Sequence, residues 1–209
     1  RHAMNALLAR QSERGPDYFR GVDAVFMHRP YHKMPASGWA MAYLFALAEG
    51  DDGARAQLRD YCAEANMDYD ALLAEIGGAA PDMRQRVHAG LSGDDAFPLA
   101  SLLLRSLRGS GFWEQLVVAK LSLGSEMMRD LGNLYTAALP AWLAAGFVQA
   151  LREDVNLDGQ RWLALGYGSG DAAEAVPMQV AGNWRDAAAR INFVEALGDP
   201  LDLDQDQYV

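Results

Sequence analysis

Two histidines are concentrated in one short stretch of the sequence, AVFMHRPYHKMP. His28 and His32 are four residues apart, and on a helix this spacing would put two metal ligands on one face. Pro30 lies between them, and a proline both lacks an N–H donor and disfavours helix at the residue before it. We therefore interpret His28 as the polar end of a short buried strand. It is either a satisfied core histidine or a hydrogen-bond donor at a site of chemistry.

The cations beside His28 are notable because the chain is acidic overall. Its 18 lysines and arginines stand against 28 aspartates and glutamates, a formal net charge of −10. Such a chain is not attracted to nucleic acid or anionic membranes, so we expect neither as a partner. An anion-binding site must depend on local cations, and Arg29 and Lys33 are candidates. The sequence has no apolar run of about 18 residues and no secretory signal pattern, which predicts a cytoplasmic protein.

The single cysteine, Cys62, is a poor candidate for a nucleophile. It lies in LRDYCAEAN, where acidic neighbours raise rather than lower a thiol pKa. One cysteine excludes an intrachain disulfide, and there is no cysteine cluster for zinc. The stretch DVNLDG imitates half of a calcium loop, but Leu165 stands where a bidentate glutamate is required. We expect no metal site and no resident cofactor.

Two further segments carry polar side chains next to glycine. In GNLYTAAL, Asn133 and Tyr135 precede an apolar helix. Asn133 is either a helix cap or a carboxamide that holds a thioester carbonyl, as acyl-transfer chemistry requires. In GYGSG, which contains Gly168 and Ser169, the glycine spacing of an esterase elbow is missing and no Gly-Lys-Ser/Thr follows. The pattern favours a hairpin turn.

The elements that position these residues form a mixed pattern. In chain order the sequence first predicts an amphipathic helix that ends near Gly15-Pro16, a strand within 22 to 28 and a helix with Pro35 in its first turn. A cluster of short helices follows from about 50 to 112, and then a helix from about 112 to 123. The last predicted elements are an apolar helix that contains Pro140 and a strand, glycine turn and strand within 159 to 180. Few strands separated by helices predict an α/β fold. About three strands suggest part of a larger sheet system.

Three segments, in this order, resemble the 3-hydroxy-3-methylglutaryl-CoA (HMG-CoA) synthase family of the thiolase superfamily. VFMHRPYHKM is similar to the family's strand-His-x-Pro-(Tyr/Phe)-x-Lys segment. GNLYTAALPAWLA is similar to its Gly-Asn-x-Tyr-Thr segment, and GQRWLALGYGSGDAAEA to its Gly-Lys-Arg-strand-Tyr-Gly-Ser-Gly segment. The resemblance implies a partial thiolase-like fold, the C-terminal half of an αβαβα architecture with a helical insertion.

The resemblance also implies an acyltransferase reaction, the condensation of acetyl-CoA with acetoacetyl-CoA to HMG-CoA for the mevalonate route to isoprenoids. By position in these segments, His28 would bond to the acetoacetyl thioester carbonyl and Asn133 would hold the substrate carbonyl. Lys33, with Arg29, would contact coenzyme A. Tyr135 would lie beside the pocket, and the turn with Gly168 and Ser169 would line it.

The family's nucleophilic cysteine and its general acid/base glutamate lie in the N-terminal half of the fold, and nothing around Cys62 resembles the nucleophile segment. Residues 1 to 209 therefore correspond to a C-terminal lobe, with 50 to 112 as a helical insertion and 200 to 209 as an acidic tail. We expect a separate cysteine-bearing lobe as partner, a homodimer, and no activity from this chain alone. Two alternatives remain: a polyketide β-branching synthase that acts on carrier-protein-bound β-ketoacyl chains, and a non-catalytic domain that binds coenzyme A or a partner.

Overall fold

The computed structural model describes residues 1–29, 33–78, 85, 88–90, 96–129, 131–132, 134–167, 172–198, 201 and 204–205. Its elements in chain order are α1 (His2–Leu8), α2 (Gly15–Gly21), β1 (Ala24–Met27), α3 (Met34–Glu49), α4 (Asp52–Glu64), α5 (Tyr69–Gly77), α6 (Pro98–Ser106), a π-helical segment (Trp113–Val118), α7 (Ala119–Leu121), a 3₁₀ turn (Tyr135–Ala137), α8 (Ala138–Arg152), β2 (Arg161–Tyr167), β3 (Ala173–Gln179), α9 (Trp184–Ala188) and α10 (Phe193–Ala196). Within this described part, no helix is both long enough and apolar enough to cross a membrane.

The strands form one mixed sheet with β2 in the middle. β1 runs parallel to β2, and its last residue, Met27, pairs with Leu165. β3 runs antiparallel to β2 along seven residue pairs, which confirms the two predicted strands, whereas the glycines predicted to form the turn at 168 and 170 lie outside the described residues. The α/β class is confirmed, and the strand predicted within 22 to 28 is β1.

The N-terminal prediction was wrong in one respect. The sequence pattern predicted one helix up to Gly15-Pro16, whereas α1 ends at Leu8 and α2 begins at Gly15. Pro16 occupies the first turn of α2, where its fixed φ favours helix and its missing N–H is harmless. Asp17, also in that turn, complements the helix dipole. The proline therefore begins a helix here instead of following one.

Helix α3 forms the centre of the helical part of the core. It packs against α2, α4, α5, α6 and the π-helical segment. Pro35 lies in its first turn as predicted, and Trp39 is fully buried with its ring 4.4 Å from that of Phe19. Asp51 and Asp68 cap α4 and α5 by accepting backbone N–H bonds at 2.9 and 3.0 Å. The short helices predicted between 50 and 112 are confirmed for α4, α5 and α6.

The helix predicted from about 112 to 123 forms with a wider turn than expected. Residues Trp113–Val118 are π-helical, and the chain returns to α-helix at α7. The indole N–H of Trp39 donates to the carbonyl oxygen of Leu116 at 2.8 Å. A tertiary bond to a buried tryptophan thus satisfies a backbone carbonyl of the π-helical segment. Hydrophobic periodicity does not reveal such a bond.

Candidate functional site

His28 lies at the carboxyl edge of the parallel strand pair. Its backbone N–H donates to the carbonyl oxygen of Leu165 at 2.9 Å, which extends the pairing one residue beyond β1. The side chain is half-buried. The carboxyl ends of parallel strands share one edge of a sheet, where α/β proteins commonly bind ligands. Gly168 and Ser169, which were predicted to line the acyl pocket, follow Tyr167 in the sequence and lie outside the described residues.

Helix α8 begins at the same edge. The ring of Trp142, near its start, lies 5.8 Å from that of Phe26, and the ring of Phe147 lies 4.7 Å from that of Trp162 at the start of β2. The helix therefore runs opposite to the two parallel strands. Tyr135, just before α8, is placed towards the carboxyl edge by this direction.

Tyr135 has two unusual properties. Its side chain is 72% exposed, and its φ is +52°, in the left-handed region that favours glycine. For an L-residue with a large side chain this conformation costs about 1–2 kcal/mol. An exposed tyrosine that is held in a strained conformation at a sheet edge is a candidate site residue. Asn133, predicted with it, lies outside the described residues.

Arg29 is the buried charged side chain of this edge, with 8% exposure. Its guanidinium carbon lies 5.0 Å from the ring centroid of Trp142, and it donates to the backbone oxygen and the Oγ of Ser125 at 3.3 and 3.1 Å. Burial lowers the pKa of Arg29, partly offset by the charge of Glu126. These contacts join the segment after β1 to α8 and to the loop that contains Ser125.

That loop is fixed to α8 by contacts that the sequence did not indicate. The indole of Trp142 donates to the oxygen of Leu123 at 2.8 Å, and Gln149 Oε1 accepts from the N–H of Gly124 at 2.6 Å. Gly124 has a φ of +72°, and a Cβ there would come within 2.4 Å of the backbone nitrogen of Gly146. Glycine at position 124 permits this approach, while Gly146 makes room for a different neighbour, since a Cβ there would lie 3.0 Å from the ring of Phe26. The two glycines and Gln149 were not predicted, because they carry no recognisable motif.

Lys33 and Cys62 differ in accessibility. Lys33 immediately precedes α3 and is exposed, so its ammonium group is accessible from solvent. Cys62 is buried, and burial raises the pKa of its thiol, with a smaller contribution from Asp68. The direction agrees with the prediction from the acidic neighbours of Cys62, but the main cause is burial, which the sequence pattern did not indicate. No cluster of three potential metal ligands occurs among the residues that the structure describes.

The chain was compared with known proteins. No family model matches it, and no curated protein matches it. Among solved structures, its fold is similar to that of MvaS in complex with 3-hydroxy-3-methylglutaryl coenzyme A, with a TM-score of 0.57 and 17% sequence identity. The match covers 98% of this chain and 36% of that chain, so this chain spans about a third of its length. This likeness concerns the fold, and it confirms the expected partial thiolase-like α/β architecture.

Proposed function

We propose that this chain is the C-terminal part of an HMG-CoA synthase-like acyltransferase, which condenses acetyl-CoA with acetoacetyl-CoA to HMG-CoA. One observation carries the proposal: the parallel pairing of β1 and β2, closed by the bond from the His28 N–H to the Leu165 oxygen at 2.9 Å. This pairing puts His28 beside the carboxyl end of β2. The fold likeness to MvaS, whose solved structure contains HMG-CoA, supports the proposal.

In this proposal His28 donates a hydrogen bond to the thioester carbonyl of acetoacetyl-CoA. Asn133 and the turn that contains Ser169 supply further neutral donors around the acyl group. Such donors are most effective where negative charge develops, here as the enolate of the acetyl group forms and attacks. Tyr135 borders the acyl pocket, and its exposure is consistent with contact to a ligand.

We assign the coenzyme A phosphates to Lys33, whose side chain is exposed just before α3. Arg29 was predicted to share this role. Its described contacts with Trp142 and Ser125 favour a supporting role, in which the guanidinium holds the segment after His28 against α8. A planar cation suits both the stacking and the paired donation better than an ammonium group does.

The nucleophile in this proposal comes from a separate cysteine-bearing lobe. Cys62 is 1% exposed and its thiol pKa is raised, so it is unsuited to attack acetyl-CoA. We therefore expect the isolated chain neither to take up label from radiolabelled acetyl-CoA nor to form HMG-CoA. Stoichiometric labelling of the isolated chain would contradict this division of roles.

The test of the proposal is the His28→Ala variant, assayed together with the lobe that supplies the cysteine. Without this hydrogen bond the acetoacetyl group is no longer held in line with the attacking enolate, and such misplacement costs about 100-fold in rate, so we expect that loss in condensation. Acetylation of the cysteine should be nearly unchanged. His88→Ala, a substitution at an exposed histidine, is the matched control. If His28→Ala left both half-reactions unchanged, His28 would be a structural histidine.

The same assay distinguishes the alternatives. We expect turnover with acetoacetyl-CoA. Turnover only with an acetoacetyl group on a carrier protein would identify a β-branching synthase. Binding of coenzyme A without turnover, in the presence of the cysteine-bearing lobe, would identify a non-catalytic domain.

A further inference from the structure

A pocket lies near the amino end of β1, whereas His28 follows the carboxyl end of the same strand. It has a volume of about 380 Å³, within the usual range for small-molecule sites, and lies between α2, α3, α4 and the π-helical segment. Lys120, in its wall, donates to the carbonyl oxygens of Arg20 (2.9 Å) and Val22, just before β1. Val22 and His28 are six residue steps apart along a largely extended stretch, which corresponds to about 20 Å.

One wall of this pocket is aromatic. The rings of Tyr43 and Phe112 are stacked, with centroids 5.6 Å apart and an interplanar angle of 28°. The ring of Tyr61 lies 5.1 Å from that of Phe112 at 50°. Phe112 and Tyr61 are only partly buried, so part of this surface is accessible. Such a wall favours a planar ring, which can pack against it face-on or edge-on.

The phenols are held in place by a network of hydrogen bonds. Arg20 donates to Asp17 at 2.8 Å, to the hydroxyl of Tyr43 at 2.8 Å and to Gln57. Gln57 in turn donates through Nε2 to the hydroxyl of Tyr61 at 2.6 Å. Because that hydroxyl oxygen accepts a bond, its own proton is directed elsewhere. The O–H of Tyr61 therefore remains available to donate to a ligand.

The pocket offers hydrogen-bond donors to a ligand. The ammonium group of Lys120 has three N–H donors, and the two carbonyls leave one of them for a ligand. Gln115 adds an exposed carboxamide. Among the described residues that line the pocket, none is acidic: Asp17 pairs with Arg20, and Asp23 acts on Lys120 through its charge, but both lie outside the lining. In a chain of net charge −10, this is a local site for acceptor-rich ligands.

The backbone supports the same conclusion. Gln115 and Leu116 belong to the π-helical segment, Phe112 precedes it, and Lys120 follows it. π-Helical turns are rare and occur frequently at functional sites. Here the wider turn forms the wall that carries the exposed amide.

We propose that this pocket binds a small planar aromatic or heteroaromatic anion, a ring that bears a carboxylate or a phosphate group. The ring packs against Phe112 and Tyr61, and the anionic group accepts from Lys120, Tyr61 and Gln115. The site lies near the amino end of β1, away from His28, and has no role in the condensation, so it does not depend on the proposed function.

The test uses calorimetric titration of the chain with phenyl phosphate and with benzoate. Inorganic phosphate and phenol serve as probes that carry only the anion or only the ring. We expect at least one of the two aromatic anions to bind about tenfold more tightly than either single-feature probe, a difference of about 1.4 kcal/mol. Binding of both aromatic anions no tighter than that of inorganic phosphate would overturn the proposal.

Gln115→Glu tests the location of the site. It introduces a negative charge at an exposed position and removes no described bond, so we expect affinity for the aromatic anion to fall about tenfold or more. Gln179→Glu makes the same charge change at an exposed position of β3 and should leave the affinity unchanged. Equal effects of the two variants would place the binding elsewhere and refute the proposal.

Discussion

Replacing Gly124 by alanine tests the close approach of the loop to α8. A φ of +72° costs an L-residue about 1–2 kcal/mol. The new Cβ would lie 2.4 Å from the nitrogen of Gly146 and 2.8 Å from the carbonyl carbon of Ala145, so backbone must move, at about 1–3 kcal/mol. That movement also disturbs the 2.6 Å bond to Gln149, which is worth about 1 kcal/mol. We expect a total destabilisation of about 3–6 kcal/mol.

Gly109→Ala is the matched control for this measurement. Gly109 also has a positive φ, +82°, but a Cβ there would meet no heavy atom of the described residues within 4 Å. It should therefore lose only about 1–2 kcal/mol. In thermal unfolding followed by circular dichroism, 1 kcal/mol corresponds to about 2–4 °C for a chain of this size. We expect Gly124→Ala to lower the Tm by at least about 6 °C, and clearly more than Gly109→Ala. Equal losses for the two variants would refute the close packing against α8.

Three further predictions concern single side chains. Tyr135→Gly should have a higher Tm than Tyr135→Ala, because both variants remove the phenol but only glycine relieves the φ of +52°, and equal Tm values for the two variants would contradict the backbone strain. Burial raises the pKa of Tyr61, so above about pH 10 the phenol ionises more readily in the unfolded chain and the free energy of unfolding falls. Urea titrations from pH 8 to 11 should show a smaller fall in the free energy of unfolding for Tyr61→Phe. The same fall in both proteins would argue against the raised pKa. Cys62 should react with a thiol reagent at pH 8 far more slowly in the folded chain than in urea, and equal rates would contradict its burial.

Much of the fold could be predicted from the sequence because its signals are local. Pro35 marked the first turn of α3, the apolar run before His28 marked β1, and the glycine-rich turn marked the β2–β3 hairpin. The separation of α1 from α2 was not predicted. Pro16 is compatible with the end of one helix or the start of another, and burial of Phe19 and Tyr18 in α2 favours the second. That choice depends on tertiary packing.

The candidate site was predictable only in its most polar residues. Histidine, lysine and tyrosine stand out against an apolar pattern, so His28, Lys33 and Tyr135 could be selected from the sequence. The loop that contacts Arg29 and α8 could not be predicted, because Gly124 matters only through its closeness in space to Gly146. The pocket beside the π-helical segment was not predicted either, because its lining residues come from four separate parts of the chain.

Arg29 shows how the end of a strand affects whether a charged side chain is exposed or buried. Phe26 and Arg29 both contact Trp142, although they are three residues apart, so the two-residue alternation of β1 ends at about His28. Beyond that point the sequence no longer indicates which side of the sheet a side chain faces. Beyond β1 the side chain of Arg29 is buried against Trp142 and Ser125. This burial lowers the pKa of Arg29. Of the two cations predicted to attract phosphate, Lys33 is therefore the one exposed to solvent, while Arg29 holds the edge on which His28 lies.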